Sequence, residues 1–199
     1  MDLFHSAEIK NILPYDGHAC NYGFVFNKDT CRIYFDKLME TIPWKPDELI
    51  MFGKHIITSR EIAWFGDADY EYSYGNTIKK ALPWTRDLLK IKKKVELISG
   101  TLFNSCLLNL YHNGNEGMSW HQDNEKELGD NPTIASLSFG VSRKFSFKHK
   151  STKQRIDMIL ESGSLVIMKD QTQEYWLHSV PKSKKITQAR INLTFRNIY

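Results

Sequence analysis

The chain has 199 residues, 41% hydrophobic, 13% aromatic and 25% charged, with a formal net charge of +4. That is the composition of a folded chain with one sizeable core and excludes a disordered one, and no apolar run approaches the roughly 20 residues a membrane helix needs. Cys20, Cys31 and Cys106 fit no zinc spacing and cannot close a disulfide set, and Met1-Asp-Leu-Phe-His-Ser6 lacks the basic-then-apolar order of a signal peptide, so the expectation is an intracellular monomer with reduced thiols and no membrane partner.

The first half reads as helices and turns. Asp29 or Thr30 is placed to cap a helix whose apolar positions Ile33, Leu38 and Ile42 follow a helical period, ending near Pro43. A second helix starts around Pro83, turns Leu88, Ile91, Val95 and Ile98 inward with its lysines outward, and stops at Gly100. From about Leu102 the pattern changes to short strands: 107–112, 134–139, 144–148, 156–160, 164–168, 175–180 and 189–195. Turn residues separate them, among them Asn113-Gly-Asn115, Gly129-Asp-Asn-Pro132, Gly140, Ser162-Gly163 and Pro181. Helices followed by strands predict an α+β, mainly β fold: a jelly roll (double-stranded β-helix) buttressed by N-terminal helices. No repeat or linker divides it, so residues 1–199 read as one domain, about 1–100 supporting and about 101–199 forming the core.

Lysine and arginine gather in three groups: Lys90 with Lys92, Lys93 and Lys94; Arg143, Lys144, Lys148, Lys150, Lys153 and Arg155; and Lys182, Lys184 and Lys185. Solvated faces and phosphate-binding patches both fit such groups.

Chemistry concentrates in His121-Gln-Asp123 and, far downstream, His178. Two imidazoles and a carboxylate on one face of a metal leave the opposite positions open, as in non-haem iron(II) oxygenases. Alternate strand residues point the same way, so His121 and Asp123 can share one ion, with His178 arriving from another strand. A surface H-x-D and a hydrogen-bonded core histidine are the plainer alternatives. The chain's end adds a second signal. In Arg190-Ile-Asn-Leu-Thr-Phe-Arg196, Ile191, Leu193 and Phe195 take one face and Arg190, Asn192, Thr194 and Arg196 the other. That polar face is either wet or a site, and its two arginines, spanning roughly 20 Å of strand, suit a short dicarboxylate held by guanidinium forks. A triad and such a pair together point to 2-oxoglutarate.

The stretch from Phe103 to Arg196 resembles the AlkB family of nucleic-acid dealkylating dioxygenases, especially its eukaryotic DNA-repair members. The matching residues are Phe103-Asn104, Asn109-Leu-Tyr111, Trp120-His-Gln-Asp-Asn-Glu125, Ile134 to Gly140, Gly163 to Met168, His178-Ser-Val-Pro181 and Arg190 to Arg196, with weaker similarity back to Ile50. The resemblance implies Fe(II) on His121, Asp123 and His178, with O2 and 2-oxoglutarate as co-substrates. Asn109, Tyr111, Arg190, Asn192, Thr194 and Arg196 would surround 2-oxoglutarate, Arg190 at its distal carboxylate and Arg196 beside the metal. The segment from Ala63 to Gly75 looks like the family's base-recognition region, with Tyr72, Tyr74 and Gly75 at the substrate and Tyr74 stacking on the flipped base opposite His178. Phe52, in Met51-Phe-Gly-Lys54, matches a finger that fills the gap left by an extruded base. Asn124 and Glu125 would meet the lesion, and Asn124 departs from the family, where many members carry a second aspartate.

By that resemblance the activity is oxidative demethylation of 1-methyladenine or 3-methylcytosine in DNA, releasing formaldehyde and succinate, in the nucleus of a eukaryote or the cytoplasm of a bacterium. The partner is nucleic acid, DNA before RNA, and the alternative is the same chemistry on a non-nucleic-acid substrate, a protein or a small molecule. A catalytically silent nucleic-acid-binding jelly roll, or a metal-bound isomerase-type jelly roll, would require neither the triad together with both arginines nor oxoglutarate.

Overall fold

In a computed structural model of the chain, residues 9–51, 54–74 and 77–199 are described, with backbone alone at 49–51, 54, 72–74 and 77–79. The elements run β1 (His18–Phe24), α1 (Lys28–Thr41), β2 (Lys45–Met51), β3 (Lys54–Gly66), β4 (Glu71–Tyr74), β5 (Thr77–Lys80), β6 (Leu82–Pro83) and α2 (Arg86–Ser99). They continue with β7 (Ser105–Tyr111), β8 (Met118–His121), β9 (Ile134–Gly140), β10 (Arg143–His149), β11 (Arg155–Leu160), β12 (Ser164–Lys169), α3 (Thr172–Tyr175), β13 (Trp176–Val180) and β14 (Arg190–Arg196).

An eight-stranded sheet, ordered β1-β12-β9-β14-β7-β3-β2 with β6 beside β3, faces a four-stranded sheet ordered β11-β10-β13-β8. All the ladders within these sheets are antiparallel except the short β3–β6 pairing. Between the sheets lie Ile134, Val166 and Met168 from the larger one and Phe145, Phe147, Trp176 and Val180 from the smaller. This is the expected jelly roll, and the strands foreseen from Leu107 onward all form, with ends shifted by a residue or two.

The first hundred residues differ from the expectation. They hold two helices but also six strands, and β1, β2, β3 and β6 join the large sheet. Strict apolar alternation is missing there for structural reasons. Ile56 and Ile57 are both exposed, and the β2–β3 register shifts between Pro46 and Glu48.

Helix α1 is capped by Asn27, whose side chain accepts from the Thr30 amide at 2.9 Å, and not by Asp29 or Thr30 themselves. Its buried stripe is Cys31 and Leu38, continued by Ile42, while Ile33 is 51% exposed. Helix α2 buries Leu88, Ile91 and Val95 as its period predicts, and Gly100 ends it in the left-handed conformation at φ 68°. Both helices cover one face of the large sheet, packing on Phe65, Leu108, Leu137, Ile191, Leu193 and Phe195. That leaves the opposite face of β14, the polar one, enclosed between the sheets: Arg190, Asn192 and Thr194 are all buried. The wet-face alternative for this strand is thereby removed. Among the described residues no helix is long and apolar enough to cross a membrane.

Candidate active site

His178 on β13 and His121 on β8 are direct cross-strand partners. Between His178/Val180 and His121/Met118 strand β8 carries one extra residue, a bulge, and such a bulge re-aims side chains at the end of a ladder. Asp123 does not share the strand with His121. The strand ends at His121, and Asp123 reaches the site from the following loop. The donor atoms of His121, Asp123 and His178 all lie within 4.8 Å of one another. Atoms about 2.1 Å from one ion stand at most about 4.2 Å apart, so small side-chain rotations close the set on a metal.

Each of the three side chains is disposed to ligate a metal. The Nδ1 of His121 lies 2.8 Å from the Ser119 carbonyl oxygen, which fixes the proton there and leaves the Nε2 lone pair facing Asp123 Oδ1 at 3.8 Å. Burial pushes His178 down to about 3, so its ring is neutral and able to ligate. Its Nδ1 is buried without a hydrogen-bonding partner. Burial alone would raise the Asp123 carboxyl, but the Arg196 guanidinium, with His178 and His121, more than offsets it and holds the group below its usual range. Arg196 Nη2 donates to Asp123 Oδ2 at 2.7 Å, and the Asp123 amide donates to Gln173 Oε1 at 3.0 Å.

The triad opens into a cavity of about 570 Å³ whose wall also includes Asn109, Tyr111, Asn192, Thr194, Arg196 and Glu125. Asn192 donates to Ser136 Oγ and the Leu137 carbonyl and accepts from Thr194 Oγ1, at 2.9 to 3.0 Å. Arg190 is 1% exposed and does not line the cavity; Tyr111, which does, lies over it at 5.4 Å. Its Nη2 donates to Ser138 Oγ at 2.9 Å, whereas Nε and Nη1 are buried without partners. Burial pushes this guanidinium down to about 10. Of the two residues expected at the lesion, Glu125 lines the cavity with a buried, unpartnered Oε2, while Asn124 is exposed and off the wall. Phe52 and Gly75, and the side chains of Tyr72 and Tyr74, lie outside the described residues.

Sequence reasoning missed several residues. Arg60, buried on β3, donates to Asn109 Oδ1 and pairs with buried Asp47, which braces one wall. Recognising β3 as a strand would have found it, since Arg60, Ile62 and Trp64 then share the cavity face. Arg143 was grouped with the surface cations but is 1% exposed. It donates to the carbonyls of Asn113, Glu116 and Pro181, tying two loops beside Tyr111. Other lysines are also committed: Lys144 to Asp157, Lys92 to Asp67 and Glu96, and Lys150 to the carbonyls of Gln173 and Glu174. Lys148 and Arg155 sit over the Trp120 ring at 4.4 and 5.5 Å.

The sequence profile of the 2OG-Fe(II) oxygenase superfamily matches residues 23–196. Bovine alpha-ketoglutarate-dependent dioxygenase alkB homolog 3 is 38% identical over 89% of this chain and 64% of its own length. Human DNA oxidative demethylase ALKBH2 is 34% identical over 92% of this chain and 74% of its own. The chain belongs to the AlkB-type 2OG-Fe(II) oxygenases. It thus spans about two thirds of the length of the curated relatives it matches. The solved structure of OsALKBH1 superposes with a TM-score of 0.59 at 17% identity, covering 90% of this chain and 96% of that one, and shares its fold. Membership of an AlkB-type 2OG-Fe(II) family brings with it Fe(II), 2-oxoglutarate and O2.

Proposed function

We propose that this AlkB-type oxygenase removes alkyl groups oxidatively from N-alkylated nucleobases in DNA, such as 1-methyladenine and 3-methylcytosine, as an intracellular monomeric repair enzyme. The observation that carries this reading is one cavity receiving the His121–Asp123–His178 cluster, the polar face of β14 and a carboxylate, Glu125, with an unpartnered oxygen. Relatives named as a DNA oxidative demethylase and as an alkB homolog support the substrate class. Residues 1–199 act as one domain in this view, since one core cluster draws on α1 and α2 as well as β3, β7, β9, β12 and β14.

His121, Asp123 and His178 would hold the iron. Iron(II) there, with 2-oxoglutarate and O2 as the oxidant, would supply hydroxylation of the alkyl carbon, whose bond to the base nitrogen then breaks to release formaldehyde, while 2-oxoglutarate goes to succinate and CO2. Asn109, Tyr111, Asn192, Thr194 and Arg196 would orient 2-oxoglutarate. The two partnerless nitrogens of Arg190 fit its distal carboxylate, because an acceptor there relieves a buried donor cost of about 1–3 kcal/mol each. Glu125 would face a methylated base, whose positive charge its carboxylate attracts. The base must leave its stack to enter. Phe52, Tyr72, Tyr74, Gly75 and Asn124 are assigned to substrate contact on the sequence resemblance alone. Lys148 and Arg155, the cations of their group that sit on Trp120, suit phosphate, and binding should weaken with salt.

The test is incubation with Fe(II), ascorbate, 2-oxoglutarate and O2 on single-stranded and duplex oligonucleotides carrying 1-methyladenine, with demethylated base and formaldehyde read by mass spectrometry. Demethylation that disappears without iron and in His121→Ala is expected. Turnover of 2-oxoglutarate with every methylated base intact would leave the oxygenase and remove the substrate. The same substrates in RNA distinguish the two nucleic acids.

A further inference from the structure

Asp123 stands where the sheet no longer supports it. Strand β8 ends at His121, so the ladder that fixes the two histidines against each other does not reach the carboxylate. Asp123 is nonetheless 4% exposed, and a buried amide without an acceptor costs about 1–3 kcal/mol. The acceptor is a side chain: Gln173 Oε1, 3.0 Å from the Asp123 nitrogen.

Gln173 is itself held. It is 2% exposed, and its Nε2 lies 3.7 Å from Met168 Sδ, a weak acceptor, so the amide is oriented with its oxygen toward Asp123. It belongs to α3, a single turn anchored through Thr172, which is fully buried. Thr172 Oγ1 accepts from the His18 amide at 2.7 Å and lies 2.6 Å from the Lys169 carbonyl oxygen. Gly17 makes this close packing possible, since a Cβ there would stand 3.0 Å from both Cα and Oγ1 of Thr172. A continuous set of contacts thus runs from β1 and β12 through Thr172 and Gln173 to the backbone of Asp123. Gln173 does not line the cavity.

Resting on the metal site proposed above, we propose that Gln173 is a positioning residue for the metal-binding carboxylate. It fixes the backbone at Asp123 while Arg196 engages Oδ2, which leaves Oδ1 on the side of His121. One contact aims the backbone and the other the side chain, and a loop residue acquires the precision of a strand residue. Groups that orient metal ligands in this way are worth roughly 10–100-fold in metal affinity.

The experiment is Mn(II) binding to the full, metal-free chain without 2-oxoglutarate, followed by calorimetry and by the Mn(II) electron paramagnetic resonance spectrum, with thermal melts on every variant. Gln173→Met keeps the volume and removes the strong acceptor. Gln173→Asn keeps the amide but withdraws it by one methylene, and Gln173→Glu keeps an acceptor oxygen in place. We expect Gln173→Met and Gln173→Asn to weaken Mn(II) roughly 10-fold or more and to alter the spectrum. Gln173→Glu is expected to stay within about 3-fold of the parent. Folded Gln173→Met and Gln173→Asn that bind like the parent overturn the proposal, as does Gln173→Glu binding as weakly as Gln173→Met. If one of the first two fails to fold, the other decides. A parent chain that takes up no Mn(II) refutes the metal site and the proposal together, whereas a binding parent with unaffected variants refutes only the role of Gln173.

Discussion

Arg190→Met removes a guanidinium that is 1% exposed, donates to Ser138 from Nη2, and leaves Nε and Nη1 without partners. Burial lowers this group from 12.5 to about 10, a difference worth roughly 3 kcal/mol against the charged form. The sign follows from the direction. A cation whose folded pKa is depressed carries its full penalty at every pH below about 10 and recovers stability only as pH rises through that value. Methionine keeps most of the volume and carries no charge, but it strands Ser138 Oγ and forfeits the contact with Tyr111 at 5.4 Å, together about 1–2 kcal/mol. The ligand-free variant should therefore be more stable than the parent by about 1–2 kcal/mol, a rise of about 3–6 °C in Tm for a chain of this size. In exchange it should lose its response to 2-oxoglutarate. With Mn(II) in place of iron, the parent should gain about 2.7 kcal/mol from 2-oxoglutarate at 100 times its Kd, and the variant almost none. Thermal unfolding with and without 2-oxoglutarate measures both effects. A ligand-free variant less stable than the parent by more than about 1 kcal/mol would refute the burial reasoning, and one still stabilised by 2-oxoglutarate would refute the assignment of Arg190 to its carboxylate.

Arg143→Met should act in the opposite direction. It strips donors from the carbonyls of Asn113, Glu116 and Pro181, and a loss of about 3 kcal/mol, or roughly 6–12 °C in Tm, is expected by calorimetry. Gly114→Ala would place a Cβ 1.9 Å from the Ser183 carbonyl oxygen and 2.9 Å from Ile186 Cβ. The two loops must separate, which denaturant titration should record as a loss of about 2–4 kcal/mol. The three thiols are free and buried, and burial raises all three, Cys106 well above its ordinary value. They are protonated at neutral pH, so a thiol reagent should label none of them in the native protein within minutes and all three in denaturant.

The jelly roll was legible wherever one face of a strand is apolar and the other is not, as in β14 with Ile191, Leu193 and Phe195 against the helices. It was illegible in β2 and β3, where a bulge and the exposed pair Ile56 and Ile57 break the alternation. The same failure hid Arg60 and Asp47, since a buried arginine in an unrecognised strand reads as a surface one. The triad was legible because its residue types are rare in combination. The geometry imagined for it was not the observed one: the two ligands of H-x-D do not lie on one strand, because β8 stops at the first. Arg143 and Gln173 could not be found at all. Their roles depend on which loops meet them in space, and nothing within a few residues of either one encodes that.

Strand β14 has neighbours on both edges, helices behind it and the cavity in front. From Arg190 to Phe195 every residue is buried, so evolution finds no neutral ground along it. A change along this strand disturbs either the packing against the helices or the wall of the cavity, whichever face it touches. The β2–β3 hairpin, by contrast, lies at the sheet's margin and β4–β5 forms a separate two-stranded ribbon, neither of them paired with β14. A substitution in β14 therefore meets a packed neighbour whichever way it points.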